Sequence, residues 1–347
     1  MESIKEFTPF VQGYILTVVA IIGLVIGSFL NVVALRLLSG ESIVFPCSKC
    51  PKCKTPLKWY DNIPVLAYLL LRGKCRYCKE KISIQYPVVE AFAGLIFLGI
   101  FMMSGFSLQT LFLWVLSSFL IVMTVTDIRE KLVYDVTSFP IIPLGLLYNF
   151  FDIGNSGLGK TIIPLEGIGA SITLNEAFIS AVIASIAGAA FFEIISRITI
   201  PFVGERAFGE GDTIIAAGLG AWFGLPLTIV IIILSFLFQL IIGLPVILYN
   251  MYKDKDYKSL AATAILIFSV AIPYIGQFLG VTDNIWGALA TTAVSFIFAG
   301  IGVYVILSKA KERQSFTFLP FGPALVFGGF IVMFWGNEIL NKYNIGF

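Results

Sequence analysis

Apolar residues along this chain come in long runs separated by polar breaks. Ten runs read as membrane-type helical segments, at about 14 to 35, 88 to 103, 108 to 126, 136 to 151, 177 to 200, 213 to 224, 227 to 249, 260 to 280, 285 to 307 and 321 to 340. A helix needs about 20 residues to cross roughly 30 Å of hydrocarbon, and three runs are weak by that measure. The run 136–151 is short and carries Pro140 and Pro143, 213–224 is short and glycine-rich, and 321–340 contains Gly328, Gly329 and Glu338. Short or broken helices at membrane depth need protein or water around them. The residues before the first run include Glu2, Lys5 and Glu6, and the run is longer than a signal h-region, so it reads as a first membrane helix. Ile153 to Leu174, with its Gly, Ser, Pro and Asn, reads as an external loop.

Composition agrees with a chain whose main solvent is lipid: 58% of its 347 residues are hydrophobic and 13% charged. A net charge of +2, with no basic stretch interleaved with aromatics, sets nucleic acid aside as a partner. Placing the polar stretch 39–87 in the cytoplasm leaves only Lys5, Lys160 and Lys342 outside, 3 of 23 basic residues, as the positive-inside rule requires. The chain has no histidine. That removes Ser-His-Asp and Cys-His nucleophiles and His-ligated catalytic zinc. Paired carboxylates, a Ser-Lys pair, or a metal on carboxylates or thiolates remain.

Four of the five cysteines form two knuckles, Cys50-Pro-Lys-Cys53 and Cys75-Arg-Tyr-Cys78, with 21 residues between them. Each pair can turn both thiolates onto one tetrahedral ion, and two pairs close a structural zinc site with no open position for catalysis. A reducing cytoplasm favours metal over disulfide, and the surrounding lysines favour thiolate. Cys47 reads as spare. The 39–87 stretch is long enough for a small domain braced by its metal.

Ionisable groups within or beside a membrane are costly, which makes them functional candidates. Asp127 closes the third apolar run and Asp212 opens the sixth; on the orientation above both lie at the cytoplasmic boundary. Two carboxylates sharing a site hold one proton between them, so one can act as base on water while the other acts as acid on the leaving group. Gly209 and Gly211 permit close backbone approach, for helix packing or for a substrate strand. The alternative for either aspartate alone is a helix cap or a surface charge. Asp135 is a competitor that could cap the fourth run, and Glu193 is placed to pair with Arg197 one turn later.

Together these motifs resemble the bacterial type IV prepilin peptidases. Gly27-Ser-Phe-Leu-Asn31 with Arg36 is similar to that family's first-helix signature. The segments Cys50–Cys53, Asp61-Asn-Ile-Pro64, Arg72–Cys78 and Tyr86-Pro87 to Glu90 resemble its cytoplasmic loop. Asp127 with Asp135, Gly209-Glu-Gly-Asp212, Gly220-Ala-Trp222 and Pro320-Phe-Gly-Pro323 follow in the family's order. The resemblance implies an all-α polytopic membrane protein with about 8–10 transmembrane helices and a small cytoplasmic zinc-knuckle domain after the first helix. It implies inner-membrane localisation, cleavage of a basic leader after Gly from pilin-like or pseudopilin precursors, and N-methylation of the new first residue, commonly Phe, by S-adenosylmethionine. By the same resemblance Asp127 and Asp212 are the catalytic pair and Asp135 supports them. Asp61, Asn62, Tyr86 and Glu90 are nominated for the methyl donor.

The chain departs from the family pattern at Tyr134, where Pro is usual before the second aspartate. The resulting Tyr-Asp is similar to that of presenilin-type proteases and raises Asp135 as an alternative first catalytic residue. Ile214 stands where Lys often follows, and Glu205-Arg206 reverses the usual charge order. An added helical hairpin near 255–310 also sets the chain apart. The organisation expected is 1–38 first helix, 39–87 four-cysteine loop and methyltransferase region, 88–250 peptidase core, 251–319 extra hairpin, and 320–347 last helix. An ion- or proton-coupled transporter is the alternative from another class, and a peptidase without methyltransferase activity is the alternative within this one.

Overall fold

A computed structural model of the chain describes residues 7–45, 48–154, 160–165, 170–203, 206–278, 280, 284–310 and 320–343; Cys47 and Glu205 lie outside them. The first helix, α1 (Pro9–Ser39), has Pro at its first turn, where a missing N–H costs nothing, and ends on Gly40 at φ 67°. After the polar loop, which holds a 3₁₀ turn (Trp59–Asn62) and the short α2 (Leu66–Leu70), come α3 (Gln85–Ser104) and α4 (Leu108–Glu130). Next are α5 (Asp135–Ser138) and α6 (Ile141–Phe150), then α7 (Glu176–Val203) and α8 (Glu210–Lys253). The chain continues through α9 (Tyr257–Phe278), α10 (Ile285–Ala310) and α11 (Gly322–Tyr343).

All ten apolar runs fall on helices. Among the described residues α1, α3, α4, α7, α8, α9 and α11 are long and apolar enough to cross a membrane, and Gly287–Gly302 of α10 is a shorter apolar helix. Of the three weak runs, 321–340 is the unbroken membrane-length α11, and the other two have physical explanations. The run 136–151 is the pair α5 and α6, separated at Pro140. The run 213–224 is the first part of α8, which breaks at Gly224, φ 70° and ψ 178°, a conformation that glycine adopts without a Cβ clash. The orphaned groups at the break are satisfied by side chains: Asn149 Nδ2 donates to the carbonyls of Ala221 at 2.8 Å and Trp222 at 3.1 Å, and Leu225 N–H donates to Ser180 Oγ at 2.9 Å.

The expected external loop at 153–174 is corrected: Lys160–Leu165 (β1) and Ala170–Asn175 (β2) pair antiparallel, with Lys160 opposite Asn175. Its Thr and Ile residues are β-branched and favour extended backbone over the open loop that its Gly and Asn suggested.

The helices form two compact units, one of residues 1–191, 210–235 and 320–347, the other of 192–209 and 236–319. In the first, α1 and α3 touch backbone to backbone. A methyl group on Gly27 would sit 2.7 Å from Ala93 Cβ and 2.9 Å from Glu90 Cα, closer than real atoms come, so only glycine permits this contact. Leu116, Leu120, Met123, Ile215, Leu219 and Leu325 are fully buried in the same unit. In the second unit Glu193 binds Arg197 at 2.6 Å, as its spacing indicated, and also Arg206 at 2.9 Å. There α9 and α10 run antiparallel: a Cβ on Gly302 would lie 3.0 Å from Ala262 O, and Ser295 Oγ donates to Ser269 O at 2.7 Å.

Candidate functional site

The two cysteine knuckles are built alike. In the first, Cys50 N–H donates to Thr55 O and Lys54 N–H to Cys50 O; in the second, Cys75 N–H donates to Glu80 O and Lys79 N–H to Cys75 O. Lys54 and Lys79, each four residues after the first cysteine of its knuckle, both take positive φ, 58° and 60°. This hairpin geometry turns all four sulfurs inward, within 4.8 Å of one another, and Cys50 Sγ and Cys78 Sγ lie 3.9 Å apart. Tetrahedral bonds of about 2.3 Å require sulfurs about 3.8 Å apart, so the four thiolates fit a metal ion. The hydroxyl and backbone N–H of Thr55 hold the Cys53 thiol down to about 6. Backbone N–H groups of Cys78 and Tyr77 likewise lower Cys75. Cys78 is pushed up to about 11. The Glu80 N–H favours its thiolate, but desolvation and three neighbouring sulfurs outweigh that, as expected where only a cation can neutralise the cluster.

The second knuckle is pinned to the 3₁₀ turn by Asp61, whose covered carboxylate accepts from Arg76 Nε at 2.6 Å, Tyr77 Oη at 3.1 Å and the Lys58 N–H at 3.3 Å. Arg76 also lies over the Tyr60 ring at 5.1 Å. Burial pushes Asp61 up, yet its donors, Arg76 first, outweigh burial and hold the carboxyl below its ordinary value. A lowered folded-state value stabilises above the ordinary carboxylate range and is lost as pH falls through it. Asp61→Asn is therefore expected to lower the amide protection factors across Arg76–Cys78 at neutral pH to the level that the wild type shows only in acid. Unchanged exchange at neutral pH would show that the clasp does not hold the knuckle.

Between this loop and the ends of α1, α3 and α4 lies a cavity of about 560 Å³. Asp61, Asn62, Tyr86 and Glu90, four residues far apart in sequence, all line it. Glu90 is 7% exposed, and its Oε2 accepts the Val65 N–H at 2.7 Å. That bond steadies Val65, a β-branched residue at φ 60°, a conformation that costs energy unless its surroundings impose it. The sequence reading did not single out Arg129 or Gln85 for this cavity. Arg129 lines it, and its Nε donates to Gln85 Oε1 at 2.7 Å. Its place two residues after Asp127 was the available signal.

The aspartates are placed differently from one another. Asp127, in the last turn of α4, is 6% exposed, and its Oδ2 has no hydrogen-bond partner among the described residues. Asp212, in the first turn of α8, is 9% exposed. There the positive end of the helix dipole favours a carboxylate. Asp135 is exposed and opens α5 within its first turn; Tyr134 holds the N-cap position, so Asp135 is not the expected cap. Gly209 precedes α8, and Gly211 packs on Val133, where an added Cβ would meet Val133 Cβ at 2.6 Å. Gly322, at the start of α11, covers Asp127: a methyl group there would run into Asp127 Oδ2 and lie 3.4 Å from Ile215 Cδ1. Ile215 stands one helical turn after Asp212, on the same face. The ends of α4, α8 and α11 thus converge on the Asp127 carboxylate. Gly322→Ala is expected to cut any activity that uses Asp127 by about a hundredfold, the usual effect of ~1 Å misplacement of a reacting group. An unchanged rate in a folded variant would mean that this contact does not position Asp127.

Membrane-length helices that bury two carboxylates at their ends, beside a loop with four clustered thiols, define a multi-pass membrane protein with both a candidate acid–base pair and a candidate metal site. Residues 21–104 match the bacterial peptidase A24 N-terminal domain, and residues 114–244 match the type IV leader peptidase family. A prepilin leader peptidase/N-methyltransferase of Neisseria gonorrhoeae is 32% identical over 316 residues, covering 83% of this chain and 97% of that protein. One of Pseudomonas putida is 26% identical over 99% of this chain and 100% of its own length. One of Klebsiella pneumoniae is 33% identical over 64% of this chain and 91% of its own. No solved structure matches the chain. The chain belongs to the type IV leader peptidase family.

Proposed function

We propose that this protein is an aspartic prepilin leader peptidase and N-methyltransferase of the inner membrane, acting at its cytoplasmic face on pilin-like or pseudopilin precursors. The observation that carries the peptidase reading is the buried Asp127 carboxylate, covered by Gly322 of α11 and facing Ile215, one turn after Asp212 on α8. Asp127 and Asp212 share one proton. The ionised member takes a proton from water as the water oxygen attacks the carbonyl carbon of the Gly before the scissile bond. The protonated member then delivers its proton to the departing nitrogen as the C–N bond breaks, leaving a leader carboxylate and a free amine. Asp135, exposed one short loop away, supports the site without being one of the pair. The leader's basic residues are held at the surface by anionic lipid.

The cavity lined by Asp61, Asn62, Tyr86 and Glu90 would take S-adenosylmethionine; its volume lies in the range of small-molecule sites. When bound, this donor supplies a methyl group: the amine lone pair forms the N–C bond, the S–C pair stays on sulfur, and the amine loses one proton. Asp61, in its ion pair with Arg76, and Glu90 would be the covered carboxyl groups available to a cationic donor in this cavity. The four cysteines would hold zinc, with no open position, as a brace for the cavity wall.

The test is the mass of a purified precursor incubated with the enzyme and donor in proteoliposomes. The expected product has lost its leader and gained one methyl on its new first residue. An unaltered precursor, with ion flux driven by the same vesicles, would replace this reading with that of a transporter.

A further inference from the structure

The two reactions of the proposed function meet at one helix end. Asp127 and Arg129 both lie in the last turn of α4, where residues two apart point to nearly opposite faces. The Asp127 face looks toward Gly322 and the Ile215 turn of α8, and the Arg129 face lines the methyl-donor cavity. Arg129 is held in that wall by a chain of hydrogen bonds: Arg129 Nε to Gln85 Oε1 at 2.7 Å, Gln85 Nε2 to Asn31 Oδ1 at 3.3 Å, and Asn31 Nδ2 to Tyr86 O at 3.3 Å. Asn31 is fully buried, so the wall is anchored across α1, α3 and α4. The helix stops there: Lys131 turns to φ 55°, and its N–H closes onto Asp127 O at 2.9 Å. Only the tip of one helix, about 10 Å across with side chains, separates the two faces. Extended chain spans that distance in about three residues, at ~3.3 Å each.

We infer that the amine freed at the aspartates swings around the end of α4 into the cavity of the same molecule, without release, and that Arg129 is the positioning residue of the wall it passes. This rests on the bifunctional reading above. Cleavage removes the bond that fixed the new first residue beside Asp127, while the precursor's apolar helix stays lodged among the spans. The new N-terminus is then tethered within reach of the cavity, at an effective concentration that free product does not match.

Two measurements test the transfer. In the first, a photoreactive benzoyl group replaces the ring of the residue after the scissile Gly, and no methyl donor is present. In Asp212→Asn, which leaves the precursor uncut, crosslinks are expected on Phe321–Pro323 and Ile215. In the wild type after one turnover they are expected on Ser28, Tyr86 or Arg129. Wild-type crosslinks that stay on the first set overturn the inference. The second uses the wild-type protein alone: isotopically heavy precursor is processed with donor and a large excess of light, already trimmed product. Heavy product is expected to be methylated without loss relative to a reaction lacking competitor. Heavy methylation that falls in proportion to the dilution overturns the transfer but leaves both activities standing, whereas absence of methyl from both pools overturns the bifunctional reading and the transfer with it. Gln85→Leu, which releases Arg129 from its wall, should raise the share of heavy product leaving unmethylated by about tenfold, the effect of losing a hydrogen bond to a charged group, and Gln85→Glu, which keeps the acceptor for Arg129 but loses the donor to Asn31, should reverse most of that rise.

Discussion

Asp127→Asn and Asp212→Asn are each expected to lower precursor cleavage by about a thousandfold, the middle of the range for loss of a general acid or base, in a protein that still folds. The amide nearly matches the carboxylate in shape, so the packing of Gly322 and Ile215 around position 127 is kept while its capacity to exchange a proton is lost. Because the pair acts as a unit, the double variant should be little worse than either single one. Asp135→Asn should fall by about tenfold at most, since Asp135 is exposed and a solvated carboxylate contributes little beyond what water supplies. Cleavage rates on purified precursor, with thermal unfolding of each variant in detergent, decide the matter. A nearly inactive Asp135→Asn beside an active Asp127→Asn would transfer the role of first aspartate to Asp135.

Removing the metal should separate the two activities. Structural zinc in small knuckle domains contributes about 10–16 kcal/mol, more than a loop of this size retains from its own core. Chelation, or Cys50→Ser with Cys75→Ser, is therefore expected to unfold the knuckles and release the Arg76 and Tyr77 clasp on Asp61. The cavity wall goes with them, and binding of S-adenosylhomocysteine should fall below detection by calorimetry. Cleavage should drop by about tenfold or less, because the Asp127 surroundings are built from the ends of α4, α8 and α11 and not from the knuckles, and separate sites act nearly independently. Metal content by absorption spectroscopy and amide exchange across 48–82 report whether the loop has unfolded. Equal loss of cleavage and binding would make the loop a folding element for the whole enzyme.

Much of this was legible in residue order. Hydrophobic runs located all ten helical segments, because a chain in lipid must satisfy its backbone internally and helices do so locally. The knuckle spacing brought four sulfurs together for the same reason of locality: each pair is closed by hydrogen bonds within six residues. The Glu193–Arg197 pair needed only one helical turn. The hairpin at 160–175 was missed because glycine and asparagine near its strands resemble loop composition.

Sequence by itself therefore determined the membrane-spanning class of this protein, a loop whose four cysteines are placed to bind a metal, the absence of histidine chemistry and a short set of candidate carboxylates. Spacing alone left Asp127 and Asp135 both as candidates, since both stand near helix ends, and the family resemblance favoured Asp127. Only tertiary structure gives them different surroundings: α11, nearly two hundred residues later, covers Asp127 with Gly322, while Asp135 is left in the open. The cavity likewise exists only once the loop folds back on α1, α3 and α4, uniting Asp61 with Glu90 and Arg129. Burial and convergence arise from contacts between distant segments, and no local period or spacing encodes which face of one helix another will cover.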